Sequence, residues 1–136
     1  MFNIFEPIAV FTHGQDGWTA VSPNVEGAIS EGDTLEEARE NIKEAIELML
    51  EYLLDEKIND GINERQYLPA PDEIVEKVEI DQKLQVAISI KLSRERQGLN
   101  QSEMAAMLNK KQQEISRYEQ RKVVPSADIF LKMVKC

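Results

Sequence analysis

One cysteine, one histidine and very few basic residues in its first 80 positions are the shortages that bound this 136-residue sequence. The single cysteine, Cys136 at the last position, excludes an internal disulfide and any thiol cluster for a metal. It is read as incidental rather than reactive. The single histidine, His13, falls at a predicted strand end with no Ser, Cys or Asp arrangement marked around it. A turn residue is therefore the preferred reading over a catalytic base. No apolar run approaches membrane-spanning length. The opening MFNIFEPIAVF is apolar, but Glu6 and Pro7 interrupt it and no basic start precedes it, so it is not read as a signal peptide. These shortages together predict a cytoplasmic chain without a bound metal or cofactor.

What is present is a charge split. The formal net charge of −9 combines residues 1–80, with 5 Lys/Arg against 19 Asp/Glu, and residues 81–136, with 11 against 6. An acidic half joined to a basic half predicts two partners, nucleic acid for the basic half and something basic for the acidic one. For the acidic half, a merely solvated surface stays open as the plainer alternative. The length allows one ordinary domain or two small ones, and a hydrophobic content of 42% suffices for a core.

Residues 4–12 (IFEPIAVFT) are rich in β-branched and aromatic residues and predict a strand. His13-Gly14-Gln15-Asp16-Gly17 reads as a turn, Trp18–Ser22 as a returning strand, and residues 27–30 (GAIS) as a short third strand. Thr34 and Glu37 have capping-box spacing. Leu35, Ala38, Ile42, Ala45, Ile46, Met49, Leu50 and Leu53 then form one apolar face of a helix running to about residue 55. Such a helix needs a sheet to cover. Residues 56–72, with Gly61, Pro69 and Pro71, read as a loop, and Glu73–Ile80 as a fourth strand suited to a dimer edge. Asp81 is placed as the N-cap of a helix carrying Leu84, Ala87, Ile88, Lys91 and Leu92 and ending at Gly98, so the domain boundary is set near residue 81. A last helix starts at Pro125-Ser126 and contains Ile129, Phe130 and Met133.

The stretch LNQSEMAAMLNKKQQEISRYE, residues 99–119, reads as two short helices and a tight turn. Met104, Ala105 and Leu108 form one apolar stripe, and Ile115 and Tyr118 a second. Ala105 is placed at the close crossing of the helices. Asn109 is placed where the backbone passes through the left-handed region, which Asn tolerates better than most residues. The second helix presents Gln112, Gln113, Ser116 and Arg117 outward, a set able to read base edges. In its LNQ opening and paired glutamines the stretch resembles the DNA-binding domain of phage Cro and repressor proteins. That resemblance implies an all-α helix-turn-helix domain over residues 81–136. Within it Gln112 and Gln113 would meet base edges, and Arg117 a guanine or a phosphate. Lys110, Lys111, Lys122 and Gln101 would hold phosphates. It also implies that Arg94 and Glu119 pair across the first and third helices of that domain, with Arg121 standing where Gly usually ends the recognition helix.

A second resemblance lies upstream. SPNVEGAISEGDTLEEARENIKEAIELML resembles the HicB antitoxin family, whose members share a Pro-Asx, a Gly a few residues on, and a Gly-Asp-Thr-x-x-Glu-Ala helix start. Asn24 departs from the usual Asp, and Glu26 from a usual second proline; both bear on the partner-facing surface rather than the fold. The resemblance implies an α+β domain over residues 1–80, a partial RNase H-like sheet of three to four strands with one long helix. It implies an antitoxin that blocks a HicA-type toxin, a small basic ribonuclease, and represses its own operator as a homodimer or higher oligomer. A nuclease would need carboxylates converging on a metal. Asp16, Glu26, Glu31 and Asp33 are available but fall in predicted turns, so no catalytic residue is assigned and no enzyme is expected. The competing reading is a stand-alone repressor whose N-terminal domain oligomerises or senses a ligand.

Overall fold

The computed structural model describes residues 2–135, and Cys136 lies outside them. The fold is mixed α+β: a four-stranded antiparallel sheet and five α-helices among the described residues. The chain forms two compact units. One comprises Glu6–Leu53 and Asp60–Ile80; the other comprises the residues up to Phe5, Leu54–Asn59 and those from Asp81 onward.

In the first unit, β1 (Ile8–Gly14), β2 (Gly17–Val21), β3 (Ile29–Gly32) and β4 (Glu73–Lys77) lie in the order β3-β2-β1-β4. Gly14 pairs with Gly17, so Gln15 and Asp16 form a two-residue hairpin loop. β1 starts at Ile8 rather than residue 4, because Pro7 has no N–H to give the ladder. β4 stops at Lys77 for the same reason: Val78 N donates to Pro7 O at 2.9 Å, but Pro7 cannot donate back. β3 begins two residues later than expected, after Gly27 at φ 87°.

The helix α1 (Leu35–Leu54) buries Ala38, Ile42, Ile46, Leu50 and Leu53 at three- and four-residue spacing. Thr34 Oγ1 accepts from Glu37 N at 3.1 Å, which caps its first turn. α1 is tied to both sheet edges. Asn41 Nδ2 donates to Glu31 O at 2.8 Å on β3, and Arg39 makes a bidentate pair with Glu76 on β4 at 2.9 and 2.7 Å. That pair, with Glu36, holds the Arg39 guanidinium above its ordinary pKa. Glycine is required at position 32 by close approach, since a Cβ there would lie 2.4 Å from the Ala38 backbone nitrogen. The covered sheet face carries Ala9, Phe11 and Ala20, all fully or almost fully buried.

In the second unit, α2 (Gln82–Arg96) is central. Asp81 caps it through Leu84 N at 3.1 Å. Its apolar residues run round most of its circumference: Leu84, Ala87, Ile88 and Leu92, as the spacing predicts, and also Val86 and Ile90. A helix apolar on several sides is covered on several sides. Val86 and Ile90 join Met104, Ala105, Ile115, Tyr118, Met133 and Val134 in one core cluster. Ser89 Oγ accepts from Phe5 N at 3.0 Å, and Gln85 Nε2 donates to Phe5 O at 3.0 Å. Glu95 accepts from Ile58 N at 3.1 Å at the start of a 3-10 turn (Ile58–Asp60) inside the stretch read as loop. Lys91 Nζ donates to Leu54 O and Glu56 O, which belong to the same unit.

Three further helices follow: α3 (Gln101–Met107), α4 (Gln112–Glu119) and α5 (Ala127–Val134). The ends of α2, α3 and α4 share one geometry, with Gly98, Asn109 and Arg121 at φ 69°, 55° and 62°. In each, the two following N–H groups reach back in the Schellman pattern; for α4, Arg121 N donates to Tyr118 O at 3.1 Å and Lys122 N to Arg117 O at 3.0 Å. The α4 end is thus fixed by the backbone pattern a glycine would make, at the steric expense of a side chain in the left-handed region. Gly98→Ala is expected to cost about 1 kcal/mol from backbone strain alone, because its Cβ would meet nothing within 4 Å. Arg121→Gly is expected to stabilise by about 0.5–1 kcal/mol after the extra glycine entropy is subtracted. Urea unfolding of both variants checks the opposite signs.

Candidate nucleic-acid interface

α4 buries Ile115, Tyr118 and Glu119, which leaves Gln112, Gln113, Ser116 and Arg117 on one outward stripe. Gln112, Gln113 and Arg117 are exposed and Ser116 is half-buried. Gln120 extends the stripe by one turn and donates to Ser116 Oγ at 2.9 Å. Sequence reasoning passed over Gln120, although its four-residue spacing from Ser116 places it on the same stripe.

The sharpest feature is a chain of side-chain bonds linking three helices. Arg94 on α2 makes a bidentate pair with Glu119 on α4 at 2.8 and 2.9 Å, and its third nitrogen donates to Leu99 O at 3.0 Å. The pair is largely dehydrated, with side chains 14% and 8% exposed, and Glu119 raises the Arg94 pKa. Gln101 Nε2 donates to Glu119 Oε1 at 3.4 Å, and Gln101 Oε1 accepts from Gln112 Nε2 at 2.9 Å. The Gln101 amide is therefore occupied at both ends, and it orients the Gln112 side chain at the start of α4. Only the fold brings Gln101 and Gln112 together; they stand eleven residues apart in sequence.

The lysines differ among themselves. Lys110 Nζ lies 3.6 Å from Glu114 Oε2 within α4's first turn, so its charge is partly offset. Lys111 and Lys122 are exposed. Asn100 and Glu103 form a reciprocal capping box at the start of α3, at 2.8 and 3.0 Å, which fixes the helix that carries Gln101.

The other unit carries different chemistry. Asp16, Glu31 and Asp33 line an open cleft of about 590 Å³ with Glu37, Asn41 and Trp18, whereas Glu26 lines a separate one. His13 stacks on Trp18 with ring centroids 4.6 Å apart. Among the described residues, no three His, Cys, Asp or Glu side chains are grouped to hold a metal ion. No helix among them is long and apolar enough to cross a membrane.

Comparison with known proteins joins the two units. Residues 6–122 match the sequence model of the HicB-like antitoxins of bacterial toxin–antitoxin systems. The chain belongs to the HicB-like antitoxin family. The match spans the sheet, α1 and the helices through α4, so the family assignment takes in both the acidic and the basic parts of the chain. The HicB-like chain is also similar to the UPF0150 protein ssr1765 of Synechocystis sp., with 44% identity over 64 residues, 47% of this chain and 71% of the relative. The family implies an antitoxin role opposite a toxin.

Proposed function

We propose that this antitoxin neutralises a HicA-type mRNA-cleaving toxin through its acidic half and represses its own operon through its basic half. The sheet-and-helix unit is read as the partial RNase H-like toxin-binding part. Its net negative charge suits a basic ribonuclease, because opposite charge speeds encounter and selects against wrong partners. α3 and α4 are read as a helix-turn-helix. The observation that carries this reading is the Arg94–Glu119–Gln101–Gln112 chain, which holds a glutamine amide at the exposed start of a helix sized for the major groove. A glutamine amide pairs bidentately with adenine, and Arg117 suits guanine or a phosphate. Lys111 and Lys122 are assigned to phosphates, with Lys110 beside them and Gln101 serving mainly to orient Gln112. The chain acts on a palindromic operator as a homodimer or higher oligomer.

Gln112→Ala and Gln113→Ala are each expected to cost about 1–3 kcal/mol at the operator and little on random DNA. Lys111→Ala is expected to weaken both DNAs alike and to flatten the salt dependence of binding. Fluorescence anisotropy titrations on both DNAs at several salt concentrations separate the two behaviours. Equal losses on operator and random DNA for the glutamine variants would refute the base-reading assignment.

A further inference from the structure

The two edges of the sheet are not alike. Ser22 N donates to Ala28 O at 2.9 Å, in the same register that pairs Val21 with Ile29. Bonded and non-bonded pairs alternate along an antiparallel ladder, so Glu31 turns its backbone groups outward at the β3 edge. There Asn41 Nδ2 occupies the Glu31 carbonyl. A side chain from α1 thus takes one carbonyl of that edge, while Ile29 turns its own backbone groups outward beside it.

The β4 edge is open. Val78 N bonds to Pro7 O in the register that sets Val10 opposite Val75 and Ala9 opposite Glu76. By the same alternation Ile74 and Glu76 bond to β1, while Val75 and Lys77 point their N–H and C=O groups away from the sheet, along with the Glu73 C=O. The Glu73 N–H is already donated to Ala70 O at 3.1 Å. Among the described residues, none bonds to the outward backbone groups of Val75 and Lys77. Arg39 anchors Glu76 to α1, so the strand is held in place with this edge bare. Bare edges are ordinarily guarded by charge. Here the guard is self-complementary. Antiparallel pairing of β4 with a copy of itself, centred on Val75, sets Val75 against Val75 and Glu73 against Lys77 on both sides of the axis. Shifting the register by two residues sets a charge against valine instead.

We propose that β4 pairs antiparallel with β4 of a second copy of this chain, about a two-fold axis at Val75, making one sheet continuous across two copies. Val75 N–H and C=O are exchanged between the copies, and Lys77 N–H donates to Glu73 C=O of the other, giving four backbone bonds. Val75 is 36% exposed in the single chain and becomes covered by its counterpart. The Glu73 carboxylate takes both Tyr67 Oη at 2.7 Å and Ala70 N at 2.8 Å on Oε1, which leaves Oε2 for the Lys77 ammonium of the second copy. The bond from Ala70 and the Tyr67 hydroxyl hold Glu73 below its ordinary pKa, so it carries its charge at neutral pH. Lys77 gives up only a solvent-exposed contact with Glu6 at 3.1 Å, and such contacts contribute little. A five-residue strand covers less than a standard interface of roughly 1,600 Å², so the association is weak and concentration-dependent. It requires neither DNA nor toxin and stands or falls apart from the operator reading.

The test uses the full chain alone, by sedimentation over a concentration series and by residue-resolved amide exchange. Exchange at Val75 and Lys77 is expected to slow by about tenfold or more as concentration rises, because only pairing protects those outward amides. Val75→Pro removes an N–H that faces away from β1, a place where an edge strand accepts proline. It is expected to abolish the concentration-dependent step while keeping the dilute-sample melt of the natural chain. Lys77→Glu sets like charges opposite each other and is expected to shift the step to higher concentration. Unprotected Val75 and Lys77 amides at every concentration would overturn the proposal, and so would a dimer that forms unchanged in the Lys77→Glu protein. Should Val75→Pro fail to fold, these two measurements decide the matter alone.

Discussion

Arg94→Ala is expected to lower stability by about 3–5 kcal/mol, the range for stripping one partner from a buried ion pair. The magnitude follows from what the change leaves behind. Glu119 is 9% exposed, and without Arg94 the side-chain donor left to it among the described residues is the Gln101 amide at 3.4 Å. Leu99 O, in the turn after α2, loses a donor as well. An exposed pair would be worth almost nothing, so the burial of these two side chains decides the size of the effect. At roughly 4–8 °C per kcal/mol for a unit of this size, the melting midpoint should fall by more than about 12 °C. Glu119→Gln retains an acceptor for Gln101 without a buried charge deficit of its own, but it strands the Arg94 guanidinium, so a comparable loss is expected. A melt of Arg94→Ala that overlays the natural chain would remove the pair as a structural element. Because the same chain of bonds runs on to Gln112, a weakened operator affinity should accompany the loss of stability even well below the melt.

Cutting the chain at residue 80 is expected to separate the two proposed activities completely. Residues 1–80 contain the whole sheet and all of α1. That fragment is expected to bind the toxin and suppress its RNA cleavage, with salt weakening the complex, and to lose all operator binding. The complementary fragment, residues 81–136, is expected to fail for a second reason beyond the loss of paired half-sites. Phe5 and Ile58, 1% and 0% exposed, belong to its unit but not to its sequence. Without them Ser89, Gln85 and Glu95 lose the backbone partners they hold at 3.0–3.1 Å. Removing one buried phenylalanine side chain already costs about 3–5 kcal/mol, so the fragment should melt far below the full chain. Co-expression of each fragment with the toxin, read as growth, and circular dichroism of the 81–136 fragment test both halves. Rescue by 81–136 but not by 1–80 would overturn the division of labour.

The sequence alone determined most of what is local in this protein. Period and capping residues placed α1 and α2 closely, because Thr34 and Asp81 act on N–H groups only three residues away. Asn109 and its left-handed backbone were legible for the same reason, since the steric preference belongs to the residue itself. The outward stripe of α4 followed from helical spacing. The strands were displaced by two to four residues where Pro7 and Gly27 act on the ladder, since pairing depends on a partner strand that a single segment does not contain. Only the tertiary structure decided that α2 is covered on more than one side, that Phe5 and Ile58 pack with residues after Asp81, and that Gln101 spends its amide on Glu119 and Gln112. These are contacts between residues from 11 to more than 80 positions apart. Neither composition nor periodicity encodes such pairs. They arise when the apolar faces have packed and each buried polar group must find a partner or lose its solvation.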